Sequence, residues 1–467
     1  MASKPLPRVV VAGLSGEAGK TLITLALILG ARARGLAVRA FKKGPDYIDA
    51  AWLSWASGQP ARNLDTFLMG FEGAAAGFTQ NALAEGLNII EGNRGLYDGA
   101  DARGTHSTAE LAKRLCAPVL LVVNAAKRTR TAAACVLGCQ KLDPAVQLAG
   151  VILNPVGGAR HERTLREAIE TECSVPVLGA IPRAEAAELV PGRHLGLITP
   201  EEYQGLPALR RTVAELVAGR LELDRILAIA RQAPPLAASE GPSATVADGR
   251  GLRIGYLRDS AFTFYYPENL EVLEQAGVEL VPINSLYASA LPEDVHALYI
   301  GGGFPETHAA ALSANTGLLK SLREHAGRGL PVYAECGGLM LLASAIHWQG
   351  GRYPMAGILP WEVEVCGAPQ GHGYATLKVE QPNPFFATGL VLKGHEFHYS
   401  RILPGGEPPP CACAVTRGTG AWQGRDGIVW GNVWAGYTHL HARGTPEWAA
   451  GLIGAARRFA QRGRRAD

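Results

Sequence analysis

Short, almost wholly apolar runs punctuate the first half of this chain at regular intervals. They fall around Val9-Val10-Val11, over Ala37–Phe41, at Asn88-Ile89-Ile90, and over Pro118–Val123, Leu148–Leu153 and Val175–Ile181. Runs of this length with no polar alternation read as strands buried on both faces. Between them lie longer segments, such as Leu22–Arg34, whose apolar residues recur at helical spacing. Strand and helix in alternation predict a parallel, doubly wound α/β sheet. Pro207–Ala233 reads as helical, and Pro234–Gly251, rich in Pro, Ala, Ser and Gly, reads as a linker. From Leu252 the alternation restarts, with a more strand-like middle over Pro360–Ser400 that includes Ala375–Val379. The expected layout is therefore two α/β domains, residues 1–232 and 251–467, joined by a linker over 233–250.

Composition narrows the classes. With 467 residues there is ample material for two or three cores. Hydrophobic residues make up 47% of the chain, yet no apolar run escapes charge for the ~20 residues a membrane span needs. Met1-Ala2-Ser3-Lys4-Pro5 leads straight into a strand and lacks a signal-peptide pattern. A net charge of +3 argues against a dedicated nucleic-acid binder, and the basic end, Arg457–Arg465, reads as a solvated helix face and tail. The eight cysteines are scattered. Cys411-Ala412-Cys413 and Cys135…Cys139 lack partners at metal spacing, which predicts unpaired thiols in a reducing cytoplasm. No internal repeat is visible.

Candidate chemistry begins at Gly13-Leu14-Ser15-Gly16-Glu17-Ala18-Gly19-Lys20-Thr21, set between the first strand and the first long helix. Backbone N–H groups there (Gly13, Ser15, Gly16, Glu17, Gly19) and the helix N-terminus can cradle phosphates. Lys20 adds a point charge, and Thr21 can ligate Mg²⁺. The spacing departs from the usual phosphate loop: Leu14 stands five residues before Gly19, and Gly13 is one earlier. A glycine-rich turn without nucleotide is the plain alternative, against which Gly19-Lys20-Thr21 argues. Two lysines and two carboxylates follow in Lys42-Lys43-Gly44-Pro45-Asp46-Tyr47-Ile48-Asp49, at the carboxyl edge of the predicted sheet where ligands bind in such folds. Turn and cap chemistry is the competing reading of Asp46 and Asp49. The strand Asn88-Ile89-Ile90 delivers Glu91, an acidic residue placed as a Mg²⁺ partner. Gly92–Gly99, containing Tyr97 and Asp98, comes next, and Gly104–Glu110 reads as the cap of a helix starting near Thr108.

The second half carries a different chemistry. Leu330–Ala334 is a strand-like run that stops at Glu335-Cys336, with Gly337-Gly338 and a helix-forming Leu339–Ile346 behind it. A cysteine at such an apex is pushed out at a helix N-terminus, where the macrodipole and free N–H groups favour a thiolate. Leu298–Glu306, with Gly301-Gly302-Gly303, is a second strand running into a glycine turn able to hold an oxyanion, worth about 3–4 kcal/mol per good donor. Gly436-Tyr437-Thr438-His439-Leu440-His441 offers a base. A core cysteine and a structural histidine pair would each explain one stretch; the three together read as nucleophile, oxyanion turn and base.

These three stretches resemble the glutaminase domain of class I, triad-type glutamine amidotransferases, in the variety found in cobyrinate-type amide synthases. The likeness runs from Arg253 to about Arg458 and extends to Asp259–Leu270 and Gly394-His395-Glu396-Phe397-His398-Tyr399-Ser400. It implies that Cys336 attacks the glutamine side-chain amide, that His439 activates it, and that backbone around Gly303 and Gly337 holds the oxyanion. Simpler triad enzymes carry Glu two residues after the histidine. That position here is His441, which leaves open the group that orients His439.

The first domain, including Glu17 in its loop, is similar to dethiobiotin synthetase and the cobyrinate amide synthases. That resemblance implies ATP and Mg²⁺ as cofactors, with Thr21, Asp46 and Glu91 as the metal set. It turns Lys43, Asp49, Tyr97 and Asp98 toward an acid substrate, and gives Asn154, at a strand end, the adenine edge. Pro191–Leu197 is expected near the nucleotide, Gly394–Tyr399 at the cleft between domains, and dimerisation through the first domain. The implied reaction is amidation of the a and c acetates of a macrocyclic tetrapyrrole through an acyl phosphate, fed by ammonia passing between domains. Glu91–Gly95, Cys139–Pro144 and Gly371–Tyr374 look more like the branch acting on sirohydrochlorin or siroheme, and the cobyrinate reading stands beside it. Two rivals come from other classes. A ParA/MinD-like partitioning ATPase has no use for a cysteine elbow, and an inactive scaffold would be expected to have lost Cys336, Lys20 or Glu91.

Overall fold

The computed structural model describes residues 3–183, 198–239 and 247–466, so the stretch Pro191–Leu197 lies outside the described residues. The chain divides into two compact units, Met1–Pro242 and Ser243–Asp467.

The first unit is built on seven strands: β1 (Arg8–Gly13), β2 (Val38–Lys43), β3 (Arg62–Leu64), β4 (Leu87–Gly95), β5 (Val119–Val123), β6 (Leu148–Val156) and β7 (Val177–Pro182). Their order is β3-β2-β4-β1-β5-β6-β7, and every neighbouring pair is parallel. Parallel pairing sends all carboxyl ends to one edge, which brings Gly13, Lys43 and Glu91 together from strands far apart in sequence. Val9, Val10 and Val11 are fully buried, as an apolar central strand requires. The helix Lys20–Ala33 starts at Gly19, whose φ of 87° is a left-handed conformation that glycine adopts at no steric cost. Part of the expected linker is structured, because Leu236–Ala237 pairs antiparallel with Ser3–Lys4. The buried Arg8 guanidinium fastens that end as well, donating to the carbonyls of Leu115 (2.7 Å) and Pro234 (2.7 Å).

The second unit departs from simple alternation. Its strands β8 (Arg253–Leu257), β9 (Glu279–Ile283), β10 (Ala297–Ile300), β11 (Val332–Glu335), β12 (Gly371–Val379), β13 (Val391–His398), β14 (Cys411–Arg417), β15 (Arg425–Trp430), β16 (Val433–Gly436) and β17 (His439–Leu440) form one sheet. The order is β9-β8-β10-β11-β16-β15-β14-β12-β13-β17. It is parallel as far as β16 and antiparallel beyond.

One connection sets the shape of this sheet. Only Tyr437 and Thr438 separate β16 from β17, a reach of about 11 Å at full extension. The two strands stand five places apart in the sheet, which would be roughly 24 Å if it were flat. The antiparallel half therefore curls back over the parallel half. That curl carries His439 to the end of β11, where Cys336 sits.

Candidate active sites

In the second unit, Glu335 ends β11, Cys336 follows, and the helix Gly337–Leu342 begins at once. Cys336 has φ 48° and ψ −100°, strained for a residue with a side chain and typical of a nucleophile elbow. Its N–H donates to the Gly436 carbonyl at 2.7 Å, pinning the elbow to β16. The helix is only six residues long. The expected thiolate is not what this environment favours. Burial, then the charges of Glu306, Glu335 and Asp426, push the thiol well above the ordinary cysteine range, and the Gly337 N–H opposes this only in part. The elbow presents a thiol that needs a base.

His439 comes to the same end of the sheet. A Cβ on Gly302 would lie 2.6 Å from His439 Cε1, so the ring packs directly on the glycine turn. Nδ1 of His439 lies 3.2 Å from a Glu335 carboxylate oxygen, and its ring stacks on His395 at 5.1 Å and 26°. Asp426, fully buried on β15, holds the turn before it. Its carboxylate accepts from the N–H groups of Gly427 (2.8 Å), Tyr437 (3.1 Å) and Thr438 (3.0 Å) and from the Thr438 hydroxyl (2.6 Å). Gly303 and Gly337 are brought side by side: a Cβ on Gly337 would meet the Gly303 nitrogen at 3.1 Å. Gly303 itself, at φ 157°, has no room for a side chain, with the Ala261 carbonyl oxygen 2.0 Å from an ideal Cβ.

His441 does not take the place of the missing triad carboxylate. It is fully buried against Tyr266 (4.6 Å between rings), with Nε2 3.6 Å from Glu268. Within Gly394–Tyr399, His395, Glu396 and His398 are buried and Phe397 and Tyr399 partly exposed. His395 lies 3.2 Å from the Tyr266 hydroxyl, and burial with His439 beside it lowers its pKa well below the ordinary value. Glu396 accepts from the N–H groups of Thr419 and Gly420, and His398 stacks on Tyr437 at 3.7 Å.

In the first unit the phosphate loop curls over the end of β1. The Lys20 ammonium donates to the Ser15 carbonyl at 3.4 Å, and burial, with Lys42 beside it, lowers its pKa. The Ser15 hydroxyl donates to the Gly16 carbonyl, and Glu17 has φ 53°. The Thr21 hydroxyl donates to Glu91 at 2.9 Å. Asn154 reaches this loop from β6: its amide donates to the Ala18 carbonyl at 3.0 Å, directly beneath Gly19.

The residue that sequence reasoning missed here is Lys42. Its buried ammonium donates to Asp49 (2.5 Å), Glu91 (2.8 Å) and the Gly92 carbonyl (3.2 Å). Burial alone would lower its pKa; Asp49 and Glu91 more than reverse that and hold it charged. Successive residues of a strand face opposite sides, so Lys43 points away and is buried where Asp65 is the opposing charge. Asp46 caps the following helix, accepting from the Asp49 N–H at 2.6 Å, and burial with Asp49 nearby raises its pKa to about 7. Tyr97 donates its hydroxyl to the Cys139 carbonyl at 2.6 Å, and Asp98 accepts from the Gly95 N–H at 2.8 Å.

Mg²⁺ suits the donors present. Glu91 is fully buried, with Oε2 lacking a hydrogen-bond partner and Oε1 shared by Thr21 and Lys42. A hydroxyl and one or two carboxylates beside a phosphate loop are what Mg²⁺ takes from a protein, phosphates and water supplying the rest.

A cysteine–histidine centre behind a glycine turn and a phosphate loop with a buried acid at the next strand end define a glutamine-dependent amidotransferase ligase. Comparison with known proteins agrees. Residues 9–198 match the CobQ/CobB/MinD/ParA nucleotide binding domain, and 253–446 the CobB/CobQ-like glutamine amidotransferase domain. The chain is 44% identical to the cobyrinate a,c-diamide synthase of Magnetococcus marinus over 463 residues, 98% of each chain. It is 41% identical to that of Archaeoglobus fulgidus (93% of this chain, 94% of the relative) and 40% identical to that of Syntrophotalea carbinolica (97% and 98%). The chain belongs to the cobyrinate a,c-diamide synthase family, and is a carbon–nitrogen ligase with glutamine as amide donor. This membership takes the place of the partitioning-ATPase and inactive-scaffold readings. All eight cysteines are unpaired thiols, and among the described residues no helix is long and apolar enough to cross a membrane.

Proposed function

We propose that the chain amidates the a and c acetate side chains of a macrocyclic tetrapyrrole, using ATP–Mg²⁺ and glutamine. The observation that carries this reading is the pairing, in one chain, of a Cys336–His439 centre with a Lys20–Thr21–Glu91 phosphate site. His439 takes the Cys336 proton, and the sulfur attacks the glutamine amide carbon. The tetrahedral oxyanion lies against the amides around Gly303 and Gly337, and ammonia leaves with the returned proton. Water then releases glutamate from the thioester.

A carboxylate does not accept ammonia unaided, because hydroxide is too poor a leaving group. In the first unit the ring carboxylate attacks the γ-phosphorus of ATP, giving an acyl phosphate and ADP. Ammonia then attacks the acyl carbon and phosphate leaves. Lys20 and Lys42 supply positive charge beside the phosphates, and Thr21 and Glu91, with Asp46, would hold Mg²⁺, which neutralises phosphate charge when bound. The ammonia released in the second unit is the nitrogen that enters the amide.

Cobyrinate is the ring that the relatives' names supply, and it is the first reading for this chain. Glu91–Gly95, Cys139–Pro144 and Gly371–Tyr374 favour a second, a sirohydrochlorin-type ring or siroheme, which carries acetates at the same corners. Turnover with cobyrinic acid, sirohydrochlorin and siroheme offered separately, followed by product mass, separates them. Hydroxyl-to-amino replacement on one ring alone names the substrate; glutaminase activity with no mass change on any ring sinks the tetrapyrrole assignment.

A further inference from the structure

We propose that Glu335, the residue immediately before the nucleophile, is the positioning carboxylate for His439, replacing the glutamate that simpler triad enzymes carry two residues after the histidine. The assignment rests on the glutaminase reading of Cys336 and His439. Glu335 is fully buried. One carboxylate oxygen lies 3.2 Å from His439 Nδ1 and accepts from the Tyr299 hydroxyl at 3.4 Å; the other accepts from the Leu440 N–H at 3.2 Å. The side chain thus grips both residues of β17, one through each carboxylate oxygen. An ionised carboxylate only accepts, so Nδ1 must carry the ring proton, which leaves Nε2 unprotonated as the base for the thiol. Asn269 fixes the far side of the same strand, donating to the Leu440 carbonyl at 2.9 Å and accepting from the Ala442 N–H at 2.7 Å.

The alternative occupant of the role is accounted for elsewhere. His441 stands where the triad glutamate would be, and its Nε2 faces Glu268 across 3.6 Å. Strand geometry explains the substitution. Residues 439 and 441 share one face of an extended segment, so a long side chain at 441 can reach back to 439 in the simpler enzymes. Here β11 and β17 are brought together by the curl of the sheet, and Glu335 arrives from the strand that also carries the nucleophile.

Two effects of the Glu335 charge have opposite signs, and they make the proposal testable. The charges of Glu306, Glu335 and Asp426 act on Cys336, and a carboxylate that merely sits there holds the thiol protonated; His395, stacked on His439, Tyr299, which donates to Glu335, and Tyr333 and Tyr437 are further titratable neighbours. A carboxylate acting through His439 instead stabilises the positive charge that the ring gains from the thiol, and so favours the thiolate–imidazolium pair. The probe is the rate of iodoacetamide alkylation of Cys336 against pH in the full chain, read by peptide mass, with Cys336→Ala as the blank for the other thiols.

In Glu335→Gln the expected result is a pH midpoint raised by about one unit and a neutral-pH rate roughly tenfold lower. Glutamine hydrolysis should lose about 10²–10³ in kcat with KM changed less than about threefold, and Glu335→Asp should recover part of both. A midpoint that stays or falls overturns the assignment, because it leaves Glu335 only its direct field on the thiol. Should Glu335→Gln fail to fold, histidine ¹⁵N NMR of the unsubstituted protein decides. The His439 signal, identified by its loss in His439→Gln, must report a protonated Nδ1, and a protonated Nε2 in its place overturns the proposal. Retained glutamine-driven ammonia release in Cys336→Ala would instead strike the glutaminase reading itself.

Discussion

Lys42 sends its ammonium into Asp49 and Glu91, whereas Lys43, one residue on, is buried with Asp65 as its opposing charge. Both lysines are plain in the sequence, but which faces the phosphate loop depends on strand register, and adjacent residues differ only in parity. Lys42→Met should therefore strip the compensating charge from a buried acidic cluster and cost about 3–5 kcal/mol of stability, measured by chemical denaturation. Asp46 gives a second prediction at this scale. Its pKa, raised to about 7, means the folded protein binds this proton more tightly than the unfolded chain does. That contribution to stability is complete below the ordinary aspartate value and is lost as pH rises through about 7. Asn can still accept as a helix cap but cannot ionise. Relative to the unsubstituted protein, Asp46→Asn should gain stability between about pH 4 and about pH 7 and level off above, and a difference that is flat with pH would refute the burial argument.

At the scale of elements, the glutaminase centre depends on how two short turns are held. Asp426 satisfies two backbone N–H groups and a hydroxyl in the segment that carries His439, and the N–H of Gly427 on its own strand, all of them donors. An amide in its place would point its own N–H₂ at some of those donors. Asp426→Asn should then reduce glutamine hydrolysis by about 10²-fold while leaving ammonium-driven ligation in place, since it disturbs the base and not the phosphate site. Gly302 is the other support. A methyl group there would press on the His439 ring at 2.6 Å, so Gly302→Ala should lower kcat for glutamine more than it raises KM. The glycine turn was legible from its residues as a candidate oxyanion element. Asp426 was not, because a single aspartate in a strand gives no local sign that four donors converge on it.

For the whole molecule, the proposed mechanism gives the two units separable half-reactions, and complementary lesions should expose them. Cys336→Ala should abolish glutamine-driven amidation and keep turnover with added ammonium. Lys20→Met should do the reverse to the ligation step, losing turnover with either nitrogen source by about 10²-fold or more, yet still release ammonia from glutamine. Following glutamate, ADP and amide product in parallel distinguishes these cases. Loss of ammonium-driven turnover in Cys336→Ala would count against a division of labour between the units.

The sequence alone determined the two α/β units, the loop at Gly13–Thr21 and the elbow at Cys336, and singled out Glu91 and His439 as candidate partners of the first and the second. Each of these is written locally: an apolar run of strand length, a glycine where the backbone must turn, a reactive side chain at the turn. Only the tertiary structure decided that Glu335 meets His439, that Lys42 and not Lys43 faces Glu91, that Asn154 braces the phosphate loop, and that burial raises the Cys336 pKa. These depend on the curl of the ten-stranded sheet, on strand register and on burial. Such properties arise where segments 49 to 136 residues apart come together, so they have no spacing in the sequence from which to be read.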